Sequence, residues 1–526
     1  MNEMRFDILA QFGKKIPKHI QICFVSGMLV GWLTHFYMVS HKLVNWDDAN
    51  NLSTPGSGDY LGRWFLKYIH KLGSIHSIPA VHGVLLIAFL ALSACLVLEI
   101  LQLKSVTAAI LVPALMITFP SVVSTMTFMF MAHTSGIGIF MVCLAVYLLR
   151  QYRYGWLPCT AILVCVLGIY QSYISFAITL MLMGMIVDLI QHKKFPEMLK
   201  KGIVCVVVLG GGVLVYMKLS HIIYPNLDNE TYGGVGNMGQ IAVSEMPRLI
   251  ARCYKRFLEY FLWKPFAFVT ATAQRINQIT CGLAVGLFVI VTIQRKLYRD
   301  ILSFLLLVLY CFFVPLAAAF IYFMAPEVDY SMLMLYAYVL VFVLVLALLE
   351  YCIQDWEKAF SHTIWRQAIQ WGIVIITVLT MALSCYCNYL LTNKAYLRTD
   401  IATERVKAYF NRVIVMAESQ EGFQADDKIT ILGEFYYKDN PSSVEIDIFD
   451  SEDLRELSGL ALENGLITSG VRDNFIRTFL GYETAALDME EKLMLMETDV
   501  YQKMSVYPQN GCVQKINDVW VVKMCE

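Results

Sequence analysis

Long apolar runs separated by short polar turns dominate the chain up to about residue 391. Stretches near the roughly 20 apolar residues that a helix needs to cross a bilayer fall at 20–40, 79–101, 104–120, 125–149, 155–170, 172–190, 202–220, 278–294, 301–323, 331–351 and 367–391. They predict eleven transmembrane helices, the fifth being short. The first is too long for a cleaved signal and no small-residue cleavage site follows it. After residue 391 the pattern changes. Residues 396–417 have helical spacing, KITILG (428–433) and VWVVKM (519–524) read as strands, and RDNFIRTFLGY reads as a short helix between them. The expected architecture is an α-helical polytopic membrane domain, residues 1–391, followed by a small α/β domain, residues 392–526.

Charge sharpens this division. Residues 392–526 carry 14 basic and 24 acidic side chains, whereas the rest of the chain is net positive by nine. Basic residues cluster in alternate loops: Lys14, Lys15 and Lys18; Arg150 and Arg153; Lys193, Lys194, Lys200 and Lys201; Arg295, Lys296 and Arg299. Short basic loops stay cytoplasmic, which puts the N-terminus inside. Segments 41–78, 221–277 and 324–330 and the acidic tail then lie outside. A composition of 58% hydrophobic and 16% charged residues excludes a disordered chain, a basic nucleic-acid binder and a small disulfide-stapled secreted domain. Most of the 14 cysteines, among them Cys143, Cys165, Cys205 and Cys311, sit in apolar runs as small hydrophobes. Cys385 and Cys387 lack metal spacing, and Cys512 with Cys525 would suit a bridge in an extracytoplasmic tail.

The candidate chemistry lies in the outer segments. Asp47 and Asp48 in HKLVNWDDANN follow the first span directly. Adjacent carboxylates repel, so one holds its proton more tightly, and such a group serves as a general base towards a hydroxyl within hydrogen-bond reach. In LGRWFLKYIHKL (61–72), Leu61, Trp64, Phe65, Tyr68, Ile69 and Leu72 form an apolar stripe at helical period opposite Arg63, Lys67, His70 and Lys71. That pattern predicts an interfacial helix. Further on, Arg248, Arg252, Lys255 and Arg256 share one helical face, with Ile250, Tyr254, Phe257, Leu258 and Phe261 on the other. Outer cations run against the positive-inside tendency; they suit a lipid phosphate or simple attraction to anionic headgroups. The glycine-rich YGGVGNMGQ (232–240) lacks the spacing of a nucleotide loop. Glu327 and Asp329 flank an outer turn at Pro326, Tyr170, Gln171 and Tyr173 form a polar aromatic cluster between two spans, and His133 lies inside the fourth span. Ionisable groups at depth are functional candidates. By residue type alone, each also fits a solvated turn, a polar rim or a histidine bonded to a neighbouring helix.

The outer Asp-Asp after the first span, Gly62-Arg63-Trp64 and Gly168-Ile169-Tyr170-Gln171, taken in order, resemble the bacterial type II glucosyltransferase family, the serotype-converting O-antigen glucosyltransferases. The resemblance covers the membrane part to about residue 391, and the ending YPQNGCVQKINDVWVVK is also similar to members with an outer tail. It implies a GT-C glycosyltransferase that takes glucose from undecaprenyl-phosphate glucose at the outer face of the cytoplasmic membrane. The expected acceptor is a cell-envelope glycan. It also implies a catalytic carboxylate at Asp47 or Asp48, with Asp48 the expected base and Asp47 orienting it, and an Arg63 like the family arginine. The cations from Arg248 to Arg256 match no family motif. Around FMFMAHTSG the family pattern leads one to expect an acidic residue or a tyrosine where His133 stands. Donor phosphate would then meet Arg63 and the four cations; acceptor would meet Glu327, Asp329, His133, Tyr170 and Gln171. A lipid phosphate is already activated, so no cofactor is required; paired carboxylates are compatible with a divalent cation, but no ligand set demands one. The rival readings are a lipid-linked-sugar flippase or transporter, which would place ionisable residues near the midplane in repeated halves, an O-acyltransferase built on a buried histidine, and a structural envelope protein.

Overall fold

The computed structural model describes residues 16–52, 61–224, 241–263, 266–325, 332–358, 364–433, 454, 457 and 469–524. Glu327, Asp329, the glycine-rich stretch 232–240 and Cys525 lie outside them.

Every predicted span corresponds to a helix, but not every helix has the length to cross. Among the described residues nine are long and apolar enough, or ten if one bent pair counts as a single span. The bent pair is Val106–Thr118 and Pro120–Thr127, which meet at 46°. Pro120 lacks an amide hydrogen and forces Phe119 out of the helical region (φ −60°, ψ 139°). The remaining expected span is Trp156–Leu167, of 12 residues, or about 18 Å. By length alone it does not cross, so the count of eleven is not reached. Its two ends nonetheless adjoin different groups of loops, with Arg150 before it and Gly168 after it.

The loops sort into two sets. At one end Asp188 binds Arg150 at 3.0 Å and Lys201 at 3.1 Å, Arg295 grips Asp355 at 2.6 and 3.0 Å, and Gln191 reaches Gln102 and Tyr351. These are the short basic loops of the sequence. At the other end, the Gly168 carbonyl accepts the Phe65 and Leu66 amide hydrogens at 2.8 and 3.2 Å. A side chain on Gly168 would meet Trp64 at 2.9 Å and the Phe65 Cβ at 3.0 Å, so this close approach needs glycine. Exposed Leu33, Val206, Val207 and Val285 form part of an apolar outer surface suited to lipid.

The predicted amphipathic helix at 61–72 is not formed. Only Leu66–His70 is helical, and Leu61, Trp64, Leu66, Ile69 and His70 are buried while Tyr68 and Leu72 are exposed. Gly62 adopts φ +73°, and the Gly168 carbonyl captures amides that a helix would have used within itself. Tertiary hydrogen bonds override the periodicity. The cationic helix forms as expected at Met246–Leu262. Its buried face, however, is Leu249, Cys253, Phe257, Tyr260 and Phe261, with Ile250 and Leu258 left exposed.

A single helix, Ile364–Glu418, carries the chain out of the bundle. Its 55 residues measure about 83 Å. The compositional boundary at 391 falls within it, so no linker separates the two units there. Beyond it Ala402, Val406, Tyr409, Phe410, Val413, Ile414 and Ala417 repeat at helical spacing and are buried. They pack with strands β1 (Ile429–Leu432), β2 (Val513–Ile516) and β3 (Val519–Lys523). The sheet order is β1-β3-β2; β3 pairs parallel with β1 and antiparallel with β2. The predicted helix of the tail appears as Ser469–Phe475 continued by a π turn, Ile476–Leu480.

Candidate active site

The two adjacent aspartates occupy a single helical turn, Trp46–Asn50, set off by Asn45, whose side chain accepts the Asp48 amide hydrogen at 2.7 Å. Successive helical residues point about 100° apart, which gives the two carboxylates separate surroundings.

Asp48 is fully buried and its oxygens are occupied. Oδ2 accepts from Lys42 Nζ, and Oδ1 accepts from Ser77 Oγ and, at 3.2 Å, from the Phe130 amide. Lys42 also donates to Ser77 at 2.7 Å. Burial pushes the Lys42 ammonium below its ordinary value, and Asp48 partly restores it. Asp48 therefore ties the loop after the first span to the start of the Met129–Gln151 span through the Phe130 amide.

Asp47 is half-buried, and its carboxylate has no hydrogen-bond partner among the described residues. Burial raises its pKa above the ordinary carboxylate value, the Arg63 cation pulls it down and Asp48 pushes it up. Arg63 lies face-on over the Tyr170 ring at 4.7 Å. Its buried Nε finds no hydrogen-bond partner among the described residues. Gln171 holds this corner, donating to the Leu61 carbonyl at 2.7 Å and to Tyr216 Oη at 2.8 Å, while Tyr216 donates to the Gly62 carbonyl. A half-buried carboxylate thus lies within the field of a guanidinium whose buried Nε has no partner among the described residues.

Three expected residues therefore gather around Asp47: Asp48, Arg63 and Tyr170, with Gln171 bracing them. His133 is elsewhere in character. It is fully buried, with Nδ1 at 2.6 Å from His82 Nδ1 and Nε2 at 3.1 Å from the His70 carbonyl, to which it donates. His70 in turn donates to the Phe130 carbonyl at 2.9 Å. Together with the bond from His82 to the His76 carbonyl, these contacts fasten the segment that delivers Ser77. Arg248, Arg252, Lys255 and Arg256 line an open cleft of about 600 Å³ together with Glu245. Arg256 also pairs with Glu259 at 3.0 Å. Tyr260 of the same helix touches Phe119, which precedes the bent helix leading towards Phe130. Lys42, Ser77, Tyr216 and the Phe130 amide were not expected from sequence. Lys42 is close to the aspartates along the chain, but Ser77 and Tyr216 carry no local signal. Among the described residues no group of three His, Cys, Asp or Glu is arranged to hold a metal ion.

Comparison with known families decides the class. The family model described as Glucosyl transferase GtrII matches residues 36–348, more than half of the chain. The chain belongs to the GtrII glucosyl transferase family. Membership together with the apolar helices makes it a multi-pass membrane glycosyltransferase. No curated protein and no solved structure matches it. The GtrII match contains the whole loop from Asp47 through Arg63 to Ser77 and the Tyr170–Gln171 corner, and it ends before the long helix and the tail.

Proposed function

We propose that this GtrII-family enzyme is a GT-C glycosyltransferase that moves a hexose, glucose by family name, from undecaprenyl phosphate to a hydroxyl of a cell-envelope glycan. Asp47 is the base, Arg63 receives the phosphate, and Asp48 is the positioning carboxylate. This reverses the roles expected of the two aspartates. The observation that carries the reading is that, among the described residues, half-buried Asp47 has no hydrogen-bond partner and lies in the field of Arg63, whose buried Nε is also unpartnered, whereas the oxygens of Asp48 are already engaged.

In the reaction the acceptor hydroxyl gives its proton to Asp47 as its oxygen attacks the anomeric carbon. The bond from that carbon to the phosphate oxygen breaks, and the lipid phosphate leaves with the electron pair towards Arg63. Tyr170 and Gln171 keep Arg63 in place. The cations from Arg248 to Arg256 draw anionic lipid to this end of the bundle, and Glu327 and Asp329 are proposed acceptor contacts. The basic loops at the opposite end support an outward-facing site, with a cytoplasmic N-terminus and the tail outside.

Purified protein given radiolabelled undecaprenyl-phosphate glucose and crude envelope acceptor is expected to transfer label, and UDP-glucose is expected to be inert. Equal transfer from UDP-glucose without the lipid donor would overturn the reading. The pH profile provides a second check. A base must be ionised, so kcat/KM climbs with pH through the pKa of Asp47, which burial places above the ordinary carboxylate range. Arg63 favours the ionised form, so Arg63→Gln is expected to move this acid limb to higher pH as well as to raise the donor KM. A limb that stays still would separate Arg63 from the base.

A further inference from the structure

The helix Trp46–Asn50 has five residues, far too few to hold itself together. On one flank it is fixed by Lys42, Ser77 and the Phe130 amide through Asp48. The other flank belongs to the tail. Val44 and Ala49 are buried in the same apolar cluster as Ala402, Val406, Phe410 and Phe475, and Trp46 packs against it half-buried. The helix Ser469–Phe475 lies against the turn. Asn474 Nδ2 donates to Asn50 Oδ1 at 2.9 Å, and Arg477 donates to Asn474 Oδ1 at 2.9 Å, which fixes the way the Asn474 amide faces. Lower down, the long helix grips the first span, with Tyr37 donating to Asp400 at 2.6 Å and His35 bonded to Tyr396 at 2.7 Å. None of these tail residues falls within the stretch matched by the GtrII family.

We propose that the C-terminal unit is the outer jaw of the active site, with Asn474 and Phe475 as positioning residues that hold the turn carrying Asp47. The catalytic half of this proposal rests on the reading of Asp47 as the base; the mechanical half does not. The tail completes the membrane enzyme's catalytic loop from outside. Membrane-side contacts alone secure Asp48, while the orientation of Asp47 depends on both jaws.

The test compares hydrogen exchange of the peptide 43–52 in the full-length wild type, Asn474→Ala and Phe475→Ala, with the β3 peptide 519–524 as an internal measure of tail folding. Loss of one hydrogen bond is expected to speed exchange in 43–52 by roughly threefold to tenfold in Asn474→Ala. In Phe475→Ala the increase should be larger. Transfer kcat should fall alongside, with the donor KM unchanged, because Arg63 is held by Tyr170 and Gln171 rather than by the tail. If Phe475→Ala also exposes 519–524, the tail itself has opened and Asn474→Ala decides. Unchanged exchange of 43–52 in Asn474→Ala overturns the proposal, as does faster exchange with an undiminished kcat. Asp47→Asn distinguishes the two readings: it should remove transfer while leaving 43–52 as protected as in the wild type. An Asp47→Asn protein that still transfers would sink the base and leave the jaw to the exchange data.

Discussion

Asp47→Asn is expected to lower transfer by about two to four orders of magnitude, the usual contribution of a general base, with the thermal midpoint of the detergent-solubilised enzyme unchanged. The carboxylate makes no hydrogen bond among the described residues, and burial and Asp48 disfavour its charge, so the amide relieves a cost that offsets the lost attraction to Arg63. Asp48→Asn should behave in the opposite sense. Lys42, Ser77 and the Phe130 amide would all lose a charged acceptor inside a fully buried pocket, so the midpoint should fall and transfer should decline with it. Measuring both quantities on both variants discriminates between the aspartates. Should Asp47→Asn keep its activity while Asp48→Asn stays folded and inactive, the base would be Asp48.

Lys42→Met is expected to destabilise the protein by about 3 kcal/mol, the low end for stranding a buried charge, since the Lys42 side chain is itself 26% exposed. Asp48 is completely enclosed, and the remaining donors, Ser77 and the Phe130 amide, are neutral. The double variant Lys42→Met with Asp48→Asn should recover most of that loss, since an amide can still accept from Ser77 and the backbone without a counter-charge. Thermal midpoints of the two single variants and the double variant form the cycle. Additive losses would mean that the two residues do not act as a pair. Recovered stability with little recovered transfer would match a role for the pair in placing Asp47 rather than in the chemistry.

The spans were legible because a membrane helix must be apolar for its whole length, and that constraint writes itself into consecutive residues. The adjacent aspartates, Arg63 and the Tyr170–Gln171 pair were legible too, as polar groups at the ends of such runs. Their partners were not. Ser77 reaches Asp48 across 29 residues and Tyr216 reaches Gln171 across 45, and no local pattern encodes such meetings. The stripe at 61–72 misled for a related reason: apolar spacing reports a preference, and the Gly168 carbonyl outbid it for the Phe65 and Leu66 amides. The bond between His82 and His133, 51 residues apart, had no local signal either. At residue 391 the change in composition marked a change of surroundings, which the backbone crosses without leaving its helix.

Asn50 and Asn474 are 424 positions apart, yet they close the same structure. At the usual elongation rate of about 5–20 residues per second, roughly 20–85 s pass between their syntheses. Through that interval the carboxylate turn waits without its partner from the tail, and a chain clipped or stalled before residue 474 never receives it. The order of synthesis thus leaves the turn that carries Asp47 to be closed by a helix made long after it.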